Sequence, residues 1–216
     1  MEEINKDLKK CIEETIFPQY ENNNIGGHGI EHIKYVIERS FEIIKEFNLD
    51  VDKNMAYVTA AYHDLGYKRN PEKHEEVSSE MFKEDQNMNK FFSKEQINTI
   101  ADAIADHRAS SKHEARNIYG KIVSSADRNI SVNTTLKRSL LFYKTKYKNE
   151  DVKDMNVIED SYKKLSSKYG KGGYAKMYYP DKKYNEFIKS MQELIEDKEE
   201  FINRELEIIR ESVENN

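Results

Sequence analysis

Apolar residues recur at helical spacing along almost the whole sequence. Between about residues 30 and 47, for example, Ile33, Val36, Ile37 and Ile44 fall on one face of a helix. We find no alternating apolar and polar run, flanked by hairpin turns, that would indicate a sheet. Helix breakers are few, since the 216 residues include three prolines and eight glycines. The sequence therefore predicts an all-α fold.

Capping signals predict where several helices begin and end. The first helix is predicted at about 2–16, ending before Pro18, and the second at about 30–47. Asp52 is the expected N-cap of the third helix, and Gly66 its expected left-handed end. Further predicted starts are Asn70 with Pro71 in the first turn, a capping box at Ser93–Gln96, a helix over about 114–130, and one long last helix from about Asp181.

The character of the sequence changes near residue 131. We expect a main domain at 1–132, with its core at about 25–132, and a C-terminal helical extension at 133–216 that packs on the same domain. The last predicted helix carries an apolar stripe, which indicates a packing surface or a homodimer contact. Its members are Ile188, Met191, Ile195, Ile202, Leu206 and Ile209.

Charge and composition narrow the possible partners and location. The formal net charge is −5, both signs are interleaved, and the absence of a basic block argues against binding of duplex nucleic acid. A small anionic ligand in a local basic pocket remains open. Cys11 is the single cysteine, the first residues do not resemble a signal peptide, and no apolar run approaches the roughly 20 residues of a membrane span. The expected location is the cytoplasm, without membrane association.

Histidines and aspartates stand at chemically informative positions in the first part of the chain. His28 and His32 are four residues apart, so a helix that begins by Gly27 would place both on one face. His63 and Asp64 close an apolar helix, and Asp127 lies on the inward side of another. Burying these groups without partners would cost several kcal/mol, whereas a divalent cation would satisfy imidazoles and carboxylates together.

Three short motifs resemble the HD domain metal-dependent phosphohydrolases. That family has one histidine, a His-Asp doublet and a distant aspartate on a helical bundle. Here "HGIEHIKYV", "AAYHDLGY" and "SSADRN" supply His32, His63, Asp64 and Asp127 in that order. The resemblance covers about residues 25–132 and implies an HD-domain helical bundle that binds a divalent metal ion.

The resemblance also implies roles for further histidines. In members with two metal ions, Asp64 would bridge them, with His32, His63 and Asp127 on the first ion and His74 and His107 on the second. The His28–His32 spacing is similar to that of the cyclic-nucleotide phosphodiesterases, which implies that His28 protonates the leaving oxygen. The ions, one or two per chain, could be manganese, iron, cobalt, nickel, zinc or magnesium.

The resemblance and these residue types together predict hydrolysis of a phosphomonoester or phosphodiester in a small phosphorylated substrate, with a nucleotide as the favoured class, by metal-activated water. Four basic residues near the motifs are candidates to bind phosphate: Arg108, Lys112, Lys68 and Arg69. Arg128 is expected to be a structural partner of Asp127 instead. Two alternatives stay open: a di-iron oxygenase of the inositol-oxygenase type, and a nucleotide-sensing module without turnover. Guanosine-tetraphosphate hydrolysis is a minor option.

Overall fold

The computed structural model describes residues 4–21, 28–111, 113–148, 152–175 and 177–214. All regular structure in these ranges is helical, which confirms the all-α prediction. The helices are α1 (Lys6–Thr15), α2 (Phe17–Glu21), α3 (Ile30–Glu46), α4 (Lys53–Tyr62), α5 (His74–Glu84), α6 (Lys94–Ala105), α7 (Ile118–Ala126), α8 (Val132–Lys146), α9 (Asp154–Tyr169), α10 (Lys182–Glu196) and α11 (Lys198–Glu214), with a short 3₁₀ helix at Gln86–Lys90. Within the described ranges, no helix is both long and apolar enough to cross a bilayer.

The chain divides into two compact units. The N-terminal unit comprises Met1–Arg128 together with Lys176–Tyr179, and the C-terminal unit comprises Asn129–Ala175 and Pro180–Asn216. The segment 177–179 therefore belongs with the first unit, although it lies far along the chain. The backbone N–H groups of Tyr178 and Tyr179 both donate to Ser125 Oγ at 3.2 Å, and Tyr178 Oη accepts from the N–H of Ala115 at 2.9 Å.

Helix α4 lies at the centre of the N-terminal unit. Every residue from Met55 to Tyr62 is buried, so this helix is covered on all sides. Asp52 caps it as predicted, because its carboxylate accepts from the N–H groups of Asn54 and Met55. Because α4 is buried on all sides, a polar side chain at its end lies in the interior of the unit.

Several predicted helix boundaries are wrong. Helix α1 ends before Pro18 as predicted, but a second short helix follows it, and Pro18 lies in the first turn of this α2, where its missing N–H breaks no helical hydrogen bond. Asn70 caps a turn by accepting from Glu72 and Lys73, and α5 begins only at His74. Helix α7 is shorter than predicted, because Asn117 caps it and Asp127 ends it.

The predicted long last helix is two helices. It breaks at Asp197, whose backbone leaves the helical region at φ −98° and ψ 83°. The Asp197 carboxylate accepts from the N–H of Glu200 at 3.0 Å, so it caps α11. The predicted apolar stripe is consequently divided between α10, which buries Met191 and Ile195, and α11, which buries Ile209.

Gly66 does not have the left-handed backbone that the sequence predicts for it. The positive-φ glycine of the described residues is Gly172, not Gly66. At Gly66, an added Cβ would lie 2.7 Å from Ser78 N and 2.8 Å from the carbonyl oxygen of His74. Glycine is therefore required for the close approach of this turn to α5, not for a left-handed backbone.

Gly66→Ala should lower the free energy of unfolding by about 1–3 kcal/mol, because the atoms it meets belong to the α5 backbone and cannot rotate away. Denaturant titration followed by circular dichroism measures the change. Ser78→Ala is the matched control: it removes the hydrogen bond from Gly66 N–H to Ser78 Oγ at 2.8 Å without adding overlap, and should cost less, about 1 kcal/mol. A Gly66→Ala variant as stable as the wild type would contradict this packing.

Candidate metal centre

Imidazole and carboxylate groups from the ends of five helices meet in the N-terminal unit. His32 lies in the first turn of α3, His63 is the C-cap of α4 and Asp64 follows it. The others are His74 at the start of α5, His107 just after α6 and Asp127 as the C-cap of α7. Since a helix end frees a side chain from the regular helical surface, this arrangement lets several helices each direct one donor at a common point.

Asp64 lies at the middle of this cluster and is buried, with 1% of its surface exposed. Its Oδ2 is 3.3 Å from His32 Nε2 and 3.2 Å from His63 Nε2. Its Oδ1 is 3.2 Å from His74 Nε2 and 3.6 Å from His107 Nε2. Each carboxylate oxygen thus faces a different pair of imidazole Nε2 atoms, which is the arrangement a bridging carboxylate requires.

Backbone carbonyls fix the orientation of three of these imidazoles. In each case Nδ1 lies near the carbonyl oxygen three residues earlier: 2.8 Å for His63 to Ala60, 3.0 Å for His74 to Pro71 and 2.7 Å for His107 to Ile104. A carbonyl can only accept, so Nδ1 carries the proton and, in the neutral ring, Nε2 presents a lone pair. Such outer hydrogen bonds commonly hold metal-binding histidines in place.

Two pairs of Nε2 atoms lie too close together for their lone pairs to face each other without a cation. Nε2 of His74 lies 3.2 Å from Nε2 of His107, and Nε2 of His32 lies 3.4 Å from Nε2 of His63. Two acceptors at such distances need a proton or a metal ion between them. Ligands about 2.0–2.1 Å from one ion would be roughly 2.8–3.4 Å apart, with octahedral geometry at the short end and tetrahedral geometry at the long end, so the donor spacing fits a metal ion.

Asp127 completes the first group of donors. Its Oδ1 lies 3.1 Å from His32 Nε2 and 3.9 Å from His63 Nε2. Its Oδ2 lies 3.4 Å from Nη1 of Arg128, whose Nη2 donates to Ser124 Oγ at 3.0 Å. The expected pairing of Arg128 with Asp127 is therefore observed, and it directs one carboxylate oxygen toward the histidines. Three donor sets could hold a metal ion among the described residues: His28–His32–Asp64, His32–His63–Asp127 and Asp64–His74–His107.

The charges in the cluster stabilise one another. Burial acts to lower the pKa of His32, but hydrogen bonds to the Asp127 and Asp64 carboxylates outweigh it and raise the pKa to about 9. Burial acts to raise the pKa of Asp64, yet the nearby charges of His63 and His28 hold it well below its usual value. The pKa of Asp127 is lowered in the same way by His32. The carboxylates therefore stay ionised and demand positive charge beside them.

His28 reaches the cluster by a different path from the predicted one. Helix α3 begins at Ile30 with Gly29 as its extended N-cap, so His28 precedes the helix instead of sharing a helical face with His32. Its Nδ1 nevertheless lies 2.6 Å from Asp64 Oδ2, as a hydrogen-bond donor to that carboxylate. The ring stacks on Tyr67 with centroids 3.8 Å apart. Sequence reasoning did not identify Tyr67 as part of the site; the one signal for it was its position three residues after Asp64.

The predicted phosphate-binding residues are found in different settings. Lys68 and Arg69 are exposed just after the doublet, with no ion pair to any described residue. Arg108 is engaged instead: its Nη1 donates to the Glu72 carbonyl at 2.6 Å and to Glu75 Oε1 at 3.0 Å. Glu75 was not predicted, although it follows His74 directly. Lys112 lies outside the described residues.

Comparison with known proteins identifies the domain. Residues 29–129 match the HD domain family. A search of curated proteins finds no match. Among solved structures, the chain is similar to a predicted HD superfamily hydrolase from an uncultured Thermotogales bacterium, with 20% identity, a TM-score of 0.47, and coverage of 77% of this chain and 91% of that one. HD domains bind divalent metal ions, and the His63–Asp64 doublet lies within the matched residues. Residues 29–129, which carry every member of the donor cluster except His28, are therefore similar to the HD domain family.

Proposed function

We propose that this chain is a metal-dependent phosphohydrolase that cleaves a phosphomonoester or phosphodiester bond in a small phosphorylated compound, with nucleotides as the favoured class. The observation that carries the proposal is the Asp64 carboxylate, whose two oxygens each face a separate pair of imidazole Nε2 atoms. The HD domain supports metal-dependent hydrolysis in general. The similarity of the His28–His32 spacing to cyclic-nucleotide phosphodiesterases favours nucleotides.

In this proposal the donors divide into two sets that share Asp64. His32, His63 and Asp127 would hold one divalent ion, and His74 and His107 a second. When bound, such ions lower the pKa of a coordinated water and neutralise charge on the phosphate oxygens. The chain's own contribution is to fix the donors, through the carbonyls behind His63, His74 and His107 and through Arg128 behind Asp127.

Two further steps fall to side chains around the donors. Lys68 and Arg69 would bind the substrate phosphate, because they are cationic, exposed and adjacent in sequence to the doublet. Arg108 could contribute through Nε and Nη2, which form no hydrogen bond with the described residues. His28 would protonate the leaving oxygen through Nε2, since Nδ1 is held by Asp64.

A substrate screen tests the proposal. The protein is loaded with manganese and incubated with nucleoside mono-, di- and triphosphates, cyclic nucleotides and simple phosphodiesters, and products are separated by chromatography. Metal-dependent release of phosphate or a nucleotide from at least one compound is expected, and protein treated with a chelator should be inactive. Dioxygen uptake by iron-loaded protein without phosphate chemistry would support the oxygenase alternative. Thermal stabilisation by a nucleotide without turnover would support the sensing module.

The role of His28 predicts a dependence on the leaving group. His28→Gln should lower kcat roughly 10²- to 10⁴-fold for an ester with a poor leaving group, such as a nucleoside or alkyl phosphate. The loss should be much smaller for a p-nitrophenyl ester, whose leaving group needs no proton. Metal content should be unchanged. His113→Gln is the matched control, because His113 is an exposed histidine outside the donor sets. Equal losses on both esters, together with loss of metal, would instead identify His28 as a ligand.

A further inference from the structure

The basic residues of this acidic chain are unevenly distributed. The segments 132–148 and 161–180 contain ten of the 35 basic residues and none of the 40 acidic ones. Basic and acidic residues are interleaved along most of the sequence, but the charged residues of these two segments are all basic. The same segments are rich in aromatic residues, with Phe142, Tyr143 and Tyr147 in the first. Basic and aromatic residues are interleaved there in the pattern typical of nucleic-acid-binding surfaces.

The fold of the C-terminal unit brings the two segments together. Most of the first segment lies in helix α8, and the second segment starts at the middle of α9. The two helices contact each other in the interior of the unit, where Ser139 Oγ lies 2.7 Å from Ser161 Oγ. Beside it, Lys164 Nζ of α9 lies 3.7 Å from the centre of the Phe142 ring of α8. We call this surface the basic aromatic face; it consists of Phe142, Tyr143, Lys146, Tyr147, Lys164 and Lys168.

The rings of this face remain accessible to a ligand. Phe142 is 50% exposed although Lys164 lies over it, and Leu141 beside it is 54% exposed. Tyr143 and Tyr147 stack on each other with centroids 6.2 Å apart, and Lys146 Nζ lies within 5.5 Å of both ring centres. Aromatic rings bordered by ammonium groups can stack with bases while the cations contact phosphates.

The lysines of the face are held close enough to repel one another. Burial, together with the charges of Lys168 and Lys146, lowers the pKa of Lys164. One acidic side chain of α9, Asp160, faces the cluster: it accepts from Tyr147 Oη and lies 3.5 Å from Lys163 Nζ. Asp160 also interacts with Lys146, so it offsets part of the charge of the three lysines Lys146, Lys164 and Lys168. Binding of a polyanion would reduce the repulsion between the lysine ammonium groups, and this reduction would favour the bound state.

We propose that the basic aromatic face binds single-stranded nucleic acid. An unpaired strand offers free bases for the exposed rings and one phosphate per nucleotide for the lysines, whereas a duplex hides its base faces. An anionic membrane is the less favourable partner, because α8 buries Leu136 and Leu140, and its exposed Leu141 and Phe142 form a smaller apolar surface than an interfacial helix presents to a bilayer. This binding would be independent of the metal centre.

Fluorescence anisotropy of a labelled oligo-dT of about 20 nucleotides tests the proposal. The full chain is titrated in the presence of EDTA, which prevents metal ions from linking phosphate to the donor cluster. We expect tighter binding of the single strand than of its duplex with oligo-dA. Phe142→Ala should weaken binding roughly 5- to 100-fold. The pair Lys146→Ala and Lys168→Ala should also flatten the dependence of log K on log salt by about 0.7 for each phosphate that the variant no longer neutralises.

The matched control is the pair Lys182→Ala and Lys189→Ala, which removes the same charge from α10, where both lysines lie beside glutamates. This pair should bind almost as well as the wild type. The proposal is overturned if no single strand binds at low salt, or if the control pair weakens binding as much as the basic aromatic face variants. Binding to phosphatidylserine vesicles that depends on Phe142, without binding of the oligonucleotide, would overturn it in favour of a membrane partner.

Discussion

Asp64→Asn should remove both metal ions and lower turnover at least 10³-fold, while the helical content of the protein is unchanged. Asparagine keeps the shape of the side chain but has neither the charge nor the second anionic oxygen with which Asp64 faces both histidine pairs. His74→Ala and His107→Ala should behave differently, because each of these residues contacts only the Oδ1 side of the carboxylate. They should lose one ion and retain the other.

Metal content per chain, measured by elemental analysis after dialysis, distinguishes these outcomes, and turnover is followed in parallel. Asp181→Asn is the matched control: Asp181 is also buried, at 1% exposure, but it caps α10, and asparagine can still cap a helix. That variant should keep its metal ions and its activity. If Asp64→Asn still bound two ions, Asp64 would not be the shared ligand, and retained turnover would contradict the proposed mechanism.

The donors were predictable because they stand at helix ends that the sequence marks clearly. Asp52 opens α4, and the apolar run that follows ends at His63 and Asp64, so the doublet had to enter the interior. The Ser93–Gln96 capping box fixes the start of α6 and thereby places His107 just past its end. Local signals of this kind depend only on neighbouring residues, and they survive in the folded chain.

Other features of the site depend on residues that are distant in sequence. No local pattern in the sequence indicates that Arg108 donates a hydrogen bond to Glu75, which lies 33 residues earlier in the chain. The role of Gly66 likewise depends on where α5 lies in space, which no local pattern specifies. The division of the last helix is an intermediate case: Asp197, followed by acidic residues, is a recognisable capping signal that the strong apolar stripe obscured.

The C-terminal unit contains a buried acid, Glu205, that should make its stability depend on pH. Glu205 is fully buried, its Oε1 lies 2.6 Å from Ser161 Oγ, and its Oε2 has no hydrogen-bond partner among the described residues. Burial raises its pKa to about 8 and outweighs the hydrogen bond from Ser161, which lowers it. The folded state therefore binds a proton that the unfolded chain, with an ordinary glutamate pKa, releases.

The sign of the effect follows from this difference in bound protons. Below about pH 4.5 both states hold the proton, so the stability contributed by the neutral carboxyl is fully present. As the pH rises toward 8, only the folded state still holds the proton, and stability falls; above the folded pKa the loss is complete. The separation of the two pKa values corresponds to a loss of about 3–5 kcal/mol.

Glu205→Gln should remove this dependence, since the amide keeps the shape of the acid but does not titrate. Any cost of burying the amide is the same at every pH, so the difference in unfolding free energy between variant and wild type should shift by about 3–5 kcal/mol in favour of the variant between pH 4.5 and 8.5. Denaturant titrations across that range, with hydrogen exchange of α9 and α11 amides, measure it. Glu200→Gln, an exposed position on α11 paired with Arg204, should change stability by less than about 1 kcal/mol at any pH. A pH-independent difference for Glu205→Gln would mean that the buried carboxyl is already ionised at neutral pH, and that the C-terminal unit stabilises its charge by contacts other than the one with Ser161.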